Sequence, residues 1–472
     1  MGRGQLVFIA TLAAVGACKT QDPLYCDENT PCDDPERPYC DLTGEYPASE
    51  GHGRTCIASP FDAGAAVEPD AAAPRKVVSL HVGLGRTCAI LDDGALRCWG
   101  SGYLGHAEDV GVVGDNEDPA DVPDVPTGGA VKSVALGGNF TCLLYEEGNV
   151  RCFGNNSSGE LGYGHTDDIF EPPSELDDVS LGEPAKQIVA AGSFTCAVLE
   201  SGAVRCWGRF HLGCSGYGTG EDDVGDDEVP SDEAAIEVGN AVEELSAGGA
   251  YVCALLAGGD GRVRCWGFAI NGGLGYGEEG EGALDCLGDN EAPSARGDVD
   301  TEYPVERISS YGASNCVIYQ ETHDVSCWGD GVLGHGNDDP ESYGDNEPAG
   351  AAPNVTLGGT AVDLGGGPKC ALMSDDSVRC WGTNEFGQLG LGHTETLGDD
   401  EDVLESDAID LGGPVAKLAH GLVERHMCAL LVDGTVRCWG LNDGGQLGLG
   451  HLENVGDNEL PLDVPAVRVV PD

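Results

Sequence analysis

A pair of cysteines about ten positions apart, set around a turn and closed by Trp-Gly, occurs seven times in order along this chain. The copies read "TCAILDDGALRCWG" (87–100), "TCLLYEEGNVRCFG" (141–154), "TCAVLESGAVRCWG" (195–208) and "VCALLAGGDGRVRCWG" (252–267). They continue as "NCVIYQETHDVSCWG" (315–329), "KCALMSDDSVRCWG" (369–382) and "MCALLVDGTVRCWG" (427–440). The leading cysteines fall at 88, 142, 196, 253, 316, 370 and 428, so the period is 54 to 63 residues. All six tryptophans (99, 207, 266, 328, 381 and 439) follow a second cysteine, and Phe153 takes the seventh slot. A period near 50 confines the fold to solenoids, arrays or propellers.

Each copy reads as a β-hairpin. "CAIL" and "ALRCW" are short apolar or β-favouring runs, and "DDG" between them is turn chemistry. A three-residue turn over Asp92–Gly94 pairs Leu91 with Ala95, and counting outward sets Cys88 opposite Cys98. Longer loops keep this symmetry at Cys253/Cys265 and Cys316/Cys327. A third run lies upstream of each hairpin, as in "RKVVSLHVG" and "VERISSYG", and a weaker fourth lies before it, as in "LDDVSLG" (176–182). Four short strands repeated seven times predict an all-β, seven-bladed propeller of four-stranded blades over 76–472. The tryptophan is the apolar piece expected to pack one blade on the next. The closing "VPAVRVVPD" (464–472) aligns with the fourth strand and is expected to complete the first blade, joining the ends of the ring.

The hairpin with "CWG", followed by "NEFGQLGLG" (384–392) or "NDGGQLGLG" (442–450), resembles the repeat of the regulator of chromosome condensation (RCC1) family. The resemblance covers roughly residues 75 to 472 and implies a seven-bladed β-propeller. Chromatin binding and nucleotide exchange, known in that family, are not carried over. With 23 basic and 82 acidic residues the net charge is −59, which repels nucleic acid. An exported chain would meet no cytoplasmic GTPase.

Export is read from the N-terminus. "MGRGQLVFIATLAAVGAC" has a basic start and an apolar run far shorter than the ~20 residues of a membrane span. Its "VGAC" resembles a bacterial lipobox, which makes 1–18 a lipoprotein-type signal peptide and Cys18 the lipid anchor. An ordinary signal peptide that sheds Cys18 is the alternative. Lys19 stands where an Asp would retain the protein at the inner membrane under the enteric sorting rule. The expected location is therefore the outer membrane or cell surface of a bacterium, with the lipid as the only membrane contact.

In an oxidising compartment cysteines act as staples. The expected pairs are Cys88–Cys98, Cys142–Cys152, Cys196–Cys206, Cys253–Cys265, Cys316–Cys327, Cys370–Cys380 and Cys428–Cys438. Cys214 and Cys286, in corresponding loops of neighbouring blades, are left to bridge them. Cys26, Cys32, Cys40 and Cys56 fall in a small module at 25–58, loosely similar to EGF-like units. Too short for a real core, it is held by these four, with three connectivities open. "SPFDAGAAVEPDAAAPR" (59–75) reads as a tether. Zinc is disfavoured, because no hairpin has CxxC clustering or an accompanying histidine.

One polar motif recurs with the blades: Gly-Asp-Asn/Asp-Glu at 114–117, 225–228, 288–291, 344–347, 398–401 and 456–459. The second repeat reads "HTDDIFEPP" (165–173) instead. The motif supports two readings. Either each Asp caps a turn and each Glu faces water, or the carboxylates bind calcium through Asp115, Glu117, Asp226, Glu228, Asp289, Glu291, Asp345, Glu347, Asp399, Glu401, Asp457 and Glu459. No complete EF-hand loop is present. Histidines following "LG" (His106, His165, His335, His393 and His451) are expected to be structural. The lone GxGxxG, "GYGEEG" (275–280), lies in an acidic loop unsuited to phosphate. No other cofactor is expected.

With no HExxH, GxSxG or P-loop, catalytic residues are not assignable. The function expected is a non-catalytic, surface-anchored scaffold, a monomeric propeller that binds a protein or glycan through its loops. Secreted bacterial relatives of this fold include protein inhibitors, which favours protein. The alternatives are a carboxylate-based lyase or hydrolase at the propeller mouth, and a structural acidic envelope or matrix component. The enzyme would need blade-specific residues converging on one opening.

Overall fold

The computed structural model describes residues 75–471 apart from 107–109, 220–222, 270–271, 278–284, 337–341, 366–368 and 422–424, together with four short strands nearer the N-terminus. The chain divides into two compact units, Met1–Pro74 and Arg75–Asp472. In the first, Ala17–Cys18, Tyr25–Asp27, Arg54–Ile57 and Tyr39–Cys40 pair in that order as one sheet. Its backbone register sets Cys18 opposite Cys26 and Cys40 opposite Cys56. The signal peptide at 1–18, the lipid on Cys18 and the cross-links of Cys26, Cys32, Cys40 and Cys56 concern segments and side chains outside the described residues, as does 59–74. The expected tether ends one residue early, because Arg75 already pairs with Asp124 of the propeller at 2.6 Å.

The second unit is all-β and, among the described residues, holds seven sheets, antiparallel except for one short parallel pairing at the inner edge of the first. Each is a blade of contiguous sequence: 77–125, 131–179, 185–236, 242–299, 305–355, 361–409 and 415–467. Within a blade the strands lie side by side in chain order, and the innermost strands neighbour one another around the ring. The fourth strand is interrupted. In blade 1 the third strand, Leu96–Gly100, meets Val113 at one end and Val125 at the other, and residues 114–124 loop out between them.

This arrangement corrects the expected closure. The weak fourth run does not open the blade that follows it; Val179 donates to Val150 and Ile409 to Val378, each completing the preceding hairpin. The tail follows the same rule, since Val467 pairs with Val436 of blade 7, not with blade 1. The strand pairing across the seam lies instead at the inner edge, where His420–Gly421 of blade 7 pairs in parallel with His81 and Val82 of blade 1.

Both faces of each blade are covered by neighbours, so the second strand is buried along its length, as in Phe140–Tyr145 and Tyr251–Leu256. The cysteine pairs lie in direct register there, with Cα atoms 4.0–4.1 Å apart, the close type of antiparallel pair. The expected turn is present: Leu91 donates to Ala95 at 2.9 Å, with Gly94 at φ +78°.

All six tryptophans are buried, and each packs on a glycine of the preceding blade. A Cβ on Gly162 would come within 2.8 Å of Trp207, and one on Gly216 within 2.6 Å of Trp266. Across the seam, Gly448 of blade 7 stands in the same relation to Trp99, at 2.8 Å, and Gly105 serves Phe153 at 2.9 Å. The indole needs a flat, Cβ-free surface, which is why this glycine recurs in every unit, after leucine in six and after Ser215 in blade 3. Gly275 of the GxGxxG sequence has this same task against Trp328.

Candidate functional site

The acidic motifs form one set. In six blades the motif glycine, at φ +89° to +105°, turns its carbonyl to a glycine N–H of the preceding blade. These bonds run from Gly450 to Gly114, Gly164 to Gly225, Gly218 to Gly288, Gly277 to Gly344, Gly336 to Gly398 and Gly392 to Gly456, at 2.9–3.4 Å. The following Asp turns inward on its own loop. Asp226, Asp289 and Asp345 accept the next residue's N–H at 2.7–2.9 Å, and Asp115 and Asp457 accept the amide of the next Asn side chain at 2.9–3.0 Å. The motif is an inter-blade latch built on turn chemistry.

Blades 3 and 6 differ, because Asp replaces Asn in the third place. Among the described residues, Asp226, Asp227 and Glu228, and likewise Asp399, Asp400 and Glu401, bring three carboxylate oxygens within 4.8 Å of one another. Partial burial and the neighbouring aspartates push Glu228 and Glu401 up to about 7. In Glu117 and Glu459, flanked by an Asn, the carboxyl is also raised, first by burial and then by the motif Asp.

The histidines are structural as expected. The Nδ1 atoms of His165, His393 and His451 each accept a backbone N–H two residues on at 3.2 Å, and Asn156, Asn384 and Asn442 clamp their carbonyls at 2.6–2.7 Å. Burial drives His335 down to about 4. Cys214 and Cys286 form a disulfide between blades 3 and 4, with Cα atoms 5.4 Å apart.

Sequence reasoning missed the arginine two places before the tryptophan. Arg97 reaches the Pro119 and Val469 carbonyls at 3.0 Å and Asp124 at 2.6 Å; Arg151 reaches the Pro173 carbonyl and Asp178; Arg437 reaches the Pro461 and Val464 carbonyls. These guanidiniums fasten the interrupted outer strand through side-chain bonds where the ladder is broken. The recurring "R-C-W-G" was the available signal.

The inner strands line a central cavity of about 310 Å³ that draws on all seven blades. Every inner strand carries a bulge between its first and third residues. The third residues run around the ring as Ser79, Ser133, Gln187, Glu244, Arg307, Asp363 and Lys417. Three consecutive blades contribute neutral groups, and four contribute charges of alternating sign. In the neutral arc, Ser79 Oγ lies 3.0 Å from His81 Nε2, and the Gln187 amide bonds the Leu245 backbone twice at 2.8–2.9 Å. In the charged arc, Asp363 accepts the Leu364 N–H at 3.0 Å and stands 3.9 Å from His420, while Lys417 donates to the Val78 carbonyl at 2.8 Å. Burial first, then Asp363 and Glu243, push Glu244 up to about 7 against the pull of Arg307. Burial first, then His420 and Lys417, drive His81 down to about 3.

Comparison with known proteins follows this geometry. The profile of the regulator of chromosome condensation (RCC1) repeat matches residues 131–160 and 423–446. The ultraviolet-B receptor UVR8 of Arabidopsis thaliana is 29% identical over 416 residues, 84% of each chain. The regulator of chromosome condensation of Drosophila melanogaster is 26% identical over 423 residues, 86% of this chain and 70% of that one. Among solved structures, human WBSCR16 superimposes with a TM-score of 0.58 at 19% identity, over 78% of this chain and 91% of that one. Yeast RCC1 (Prp20), solved bound to Kap60, gives 0.57 at 18% over 84% of each, a likeness of fold alone. Two segments of the chain match the RCC1 repeat, and the chain folds as an RCC1-like β-propeller.

Proposed function

We propose that this protein is a non-catalytic, exported scaffold that binds a partner protein through the acidic loops of its propeller. The observation that carries this reading is the latch. Six acidic turns are fixed by backbone bonds to the preceding blade, so their carboxylates are presented on a pre-ordered frame. Pre-ordering removes much of the entropy cost of binding. With a net charge of −59, the surface suits a partner with a cationic face. Proteins of similar fold have protein partners: Kap60 for yeast RCC1, and Gsp1p and histones for Prp20p of Saccharomyces cerevisiae.

Export and anchoring through Cys18 belong to the same proposal. They are supported by the N-terminal residues and by eight disulfides among the described residues, which suit an oxidising compartment. The acidic loops are proposed to act as latches rather than calcium sites.

The test is capture of surface and medium proteins on the immobilised protein, at low and high salt. A salt-sensitive basic partner, lost when Asp227, Glu228, Asp400 and Glu401 are changed to their amides, supports the reading. Capture that ignores those changes, or no capture, refutes it.

A further inference from the structure

We propose that the central channel is a binding site for a small zwitterion, an α-amino acid or dipeptide, whose carboxylate meets Arg307 and whose ammonium meets Glu244. The two side chains project from neighbouring inner strands into one cavity of about 310 Å³. Neither side chain makes a hydrogen bond or ion pair with a described residue, whereas Ser79, Gln187, Asp363 and Lys417 of that ring are engaged by their own blades or the next. Of the charged groups of the ring, this leaves one donor fork and one carboxylate open to a ligand.

Charge selects the ligand class. A simple anion drawn to Arg307 also meets Glu244 and Asp363; a simple cation drawn to Glu244 also meets Arg307. A molecule with both charges satisfies both, and Asp363 adds to the attraction for its ammonium. The cavity lies at the small end of ligand pockets, about 300 Å³ upward, which suits one or two amino-acid residues and excludes a threaded polymer. This site is separate from the acidic loops, and the two proposals fail independently.

Binding should be linked to protons. Glu244 is held up to about 7 and faces Arg307 and Asp363 on the next two blades and Glu243 on its own strand. His81, His420 and Lys417 stand on the first and last blades. An ammonium seated on Glu244 favours its ionised form. Binding below pH ~7 therefore expels a proton, and affinity rises with pH up to about 7 before levelling.

The experiment is isothermal titration of the full-length protein with L-alanyl-L-alanine, alongside N-acetyl-alanine, which keeps only the carboxylate, and alaninamide, which keeps only the amine. The expected result is a Kd of about 1 mM or tighter for the dipeptide and binding at least about tenfold weaker for either analogue. Arg307→Gln and Glu244→Gln should each weaken binding about tenfold or more, with Glu244→Gln also flattening the pH dependence. Val432→Ala, on an exposed turn outside the cavity, should bind as the parent does. Arg307→Lys, which keeps the charge without the fork, should fall between parent and Arg307→Gln, and melting curves certify that each variant folds. Absence of heat at about 10 mM dipeptide, an analogue that binds equally well, or binding indifferent to Arg307→Gln would each overturn the proposal.

Discussion

Thr87 and His426, 339 positions apart in the chain, meet in a buried hydrogen bond with 3.0 Å between Oγ1 and Nε2. The threonine gives its one proton to the Gln446 carbonyl at 2.9 Å, so the imidazole donates through Nε2. This contact is part of the seam between blades 1 and 7, where His420 also pairs in parallel register with His81 and Trp99 donates to Gln446 at 2.9 Å. Thr87→Val keeps the shape and orphans two buried polar groups. A loss of about 1–3 kcal/mol is expected, read from denaturant unfolding.

Acid should open this seam first. Burial holds His81 and His426 near 3 in the folded protein, far below the ordinary value of 6.5. Between these values the unfolded chain binds more protons, so their contribution to stability is present above about 6.5 and is lost as pH falls towards 3. Hydrogen exchange at decreasing pH should show strands 77–83 and 426–431 losing protection before the inner and second strands of blades 3 and 4. Uniform loss would remove the seam from special status.

The acidic turns of blades 3 and 6 carry the opposite sign. Glu228 and Glu401 sit at about 7, above the ordinary 4.5. Their protonated form favours the fold, so stability rises as pH falls from about 7 to about 4.5. Asp227→Asn and Asp400→Asn recreate the sequence of the other four motifs and should raise the melting temperature at pH 8 more than at pH 5. In the same assay, calcium and ionic-strength-matched sodium should act alike on the parent protein. A calcium-specific rise abolished by Asp399→Asn would establish a metal site.

Deleting Val464–Asp472 should still lower the melting temperature, for a different reason than the sequence suggests. The tail is blade 7's own outer strand, and beyond Val467 it is pinned to blade 1 by Arg468, which pairs with Asp118 at 2.8 Å and Asp121 at 2.6 Å. Arg468→Ala leaves the strand and removes only the pins, so it should cost much less than the truncation. Equal effects would assign the tail's whole contribution to the pins.

At the N-terminus, Cys18→Ser should release the protein from membranes into a soluble fraction. Unchanged fractionation removes the lipid-anchor proposal.

Repeat number, hairpin register and the packing role of the tryptophan were legible because each rests on a local pattern: a turn, two symmetric cysteines, one large ring. Blade boundaries were not legible. Val179 lies nearer in sequence to the hairpin that follows, which starts at Phe194, than to its own, which ends at Gly154, and only the bond to Val150 assigns it. The acidic motif suggested its side chains as the message, while its backbone carries the latch. The channel was hidden for a different cause. Glu244, Arg307 and Asp363 are scattered through dissimilar runs, and no spacing in one dimension announces that three bulges will aim them into one cavity.

Because every blade is finished by its own stretch of chain, seven of the eight described cross-links close within a hairpin of sequence separation 10 to 12, and one spans 72. A polypeptide emerging N-terminus first can therefore oxidise each hairpin as it appears, before the next pair of thiols offers a wrong partner. Among the cysteines of the described cross-links, only Cys214 must wait, through the length of a whole blade, for Cys286. Newly made chains arrested at that stage would carry a single pair of free thiols, and an oxidative folding defect in this protein would concentrate on that one bond.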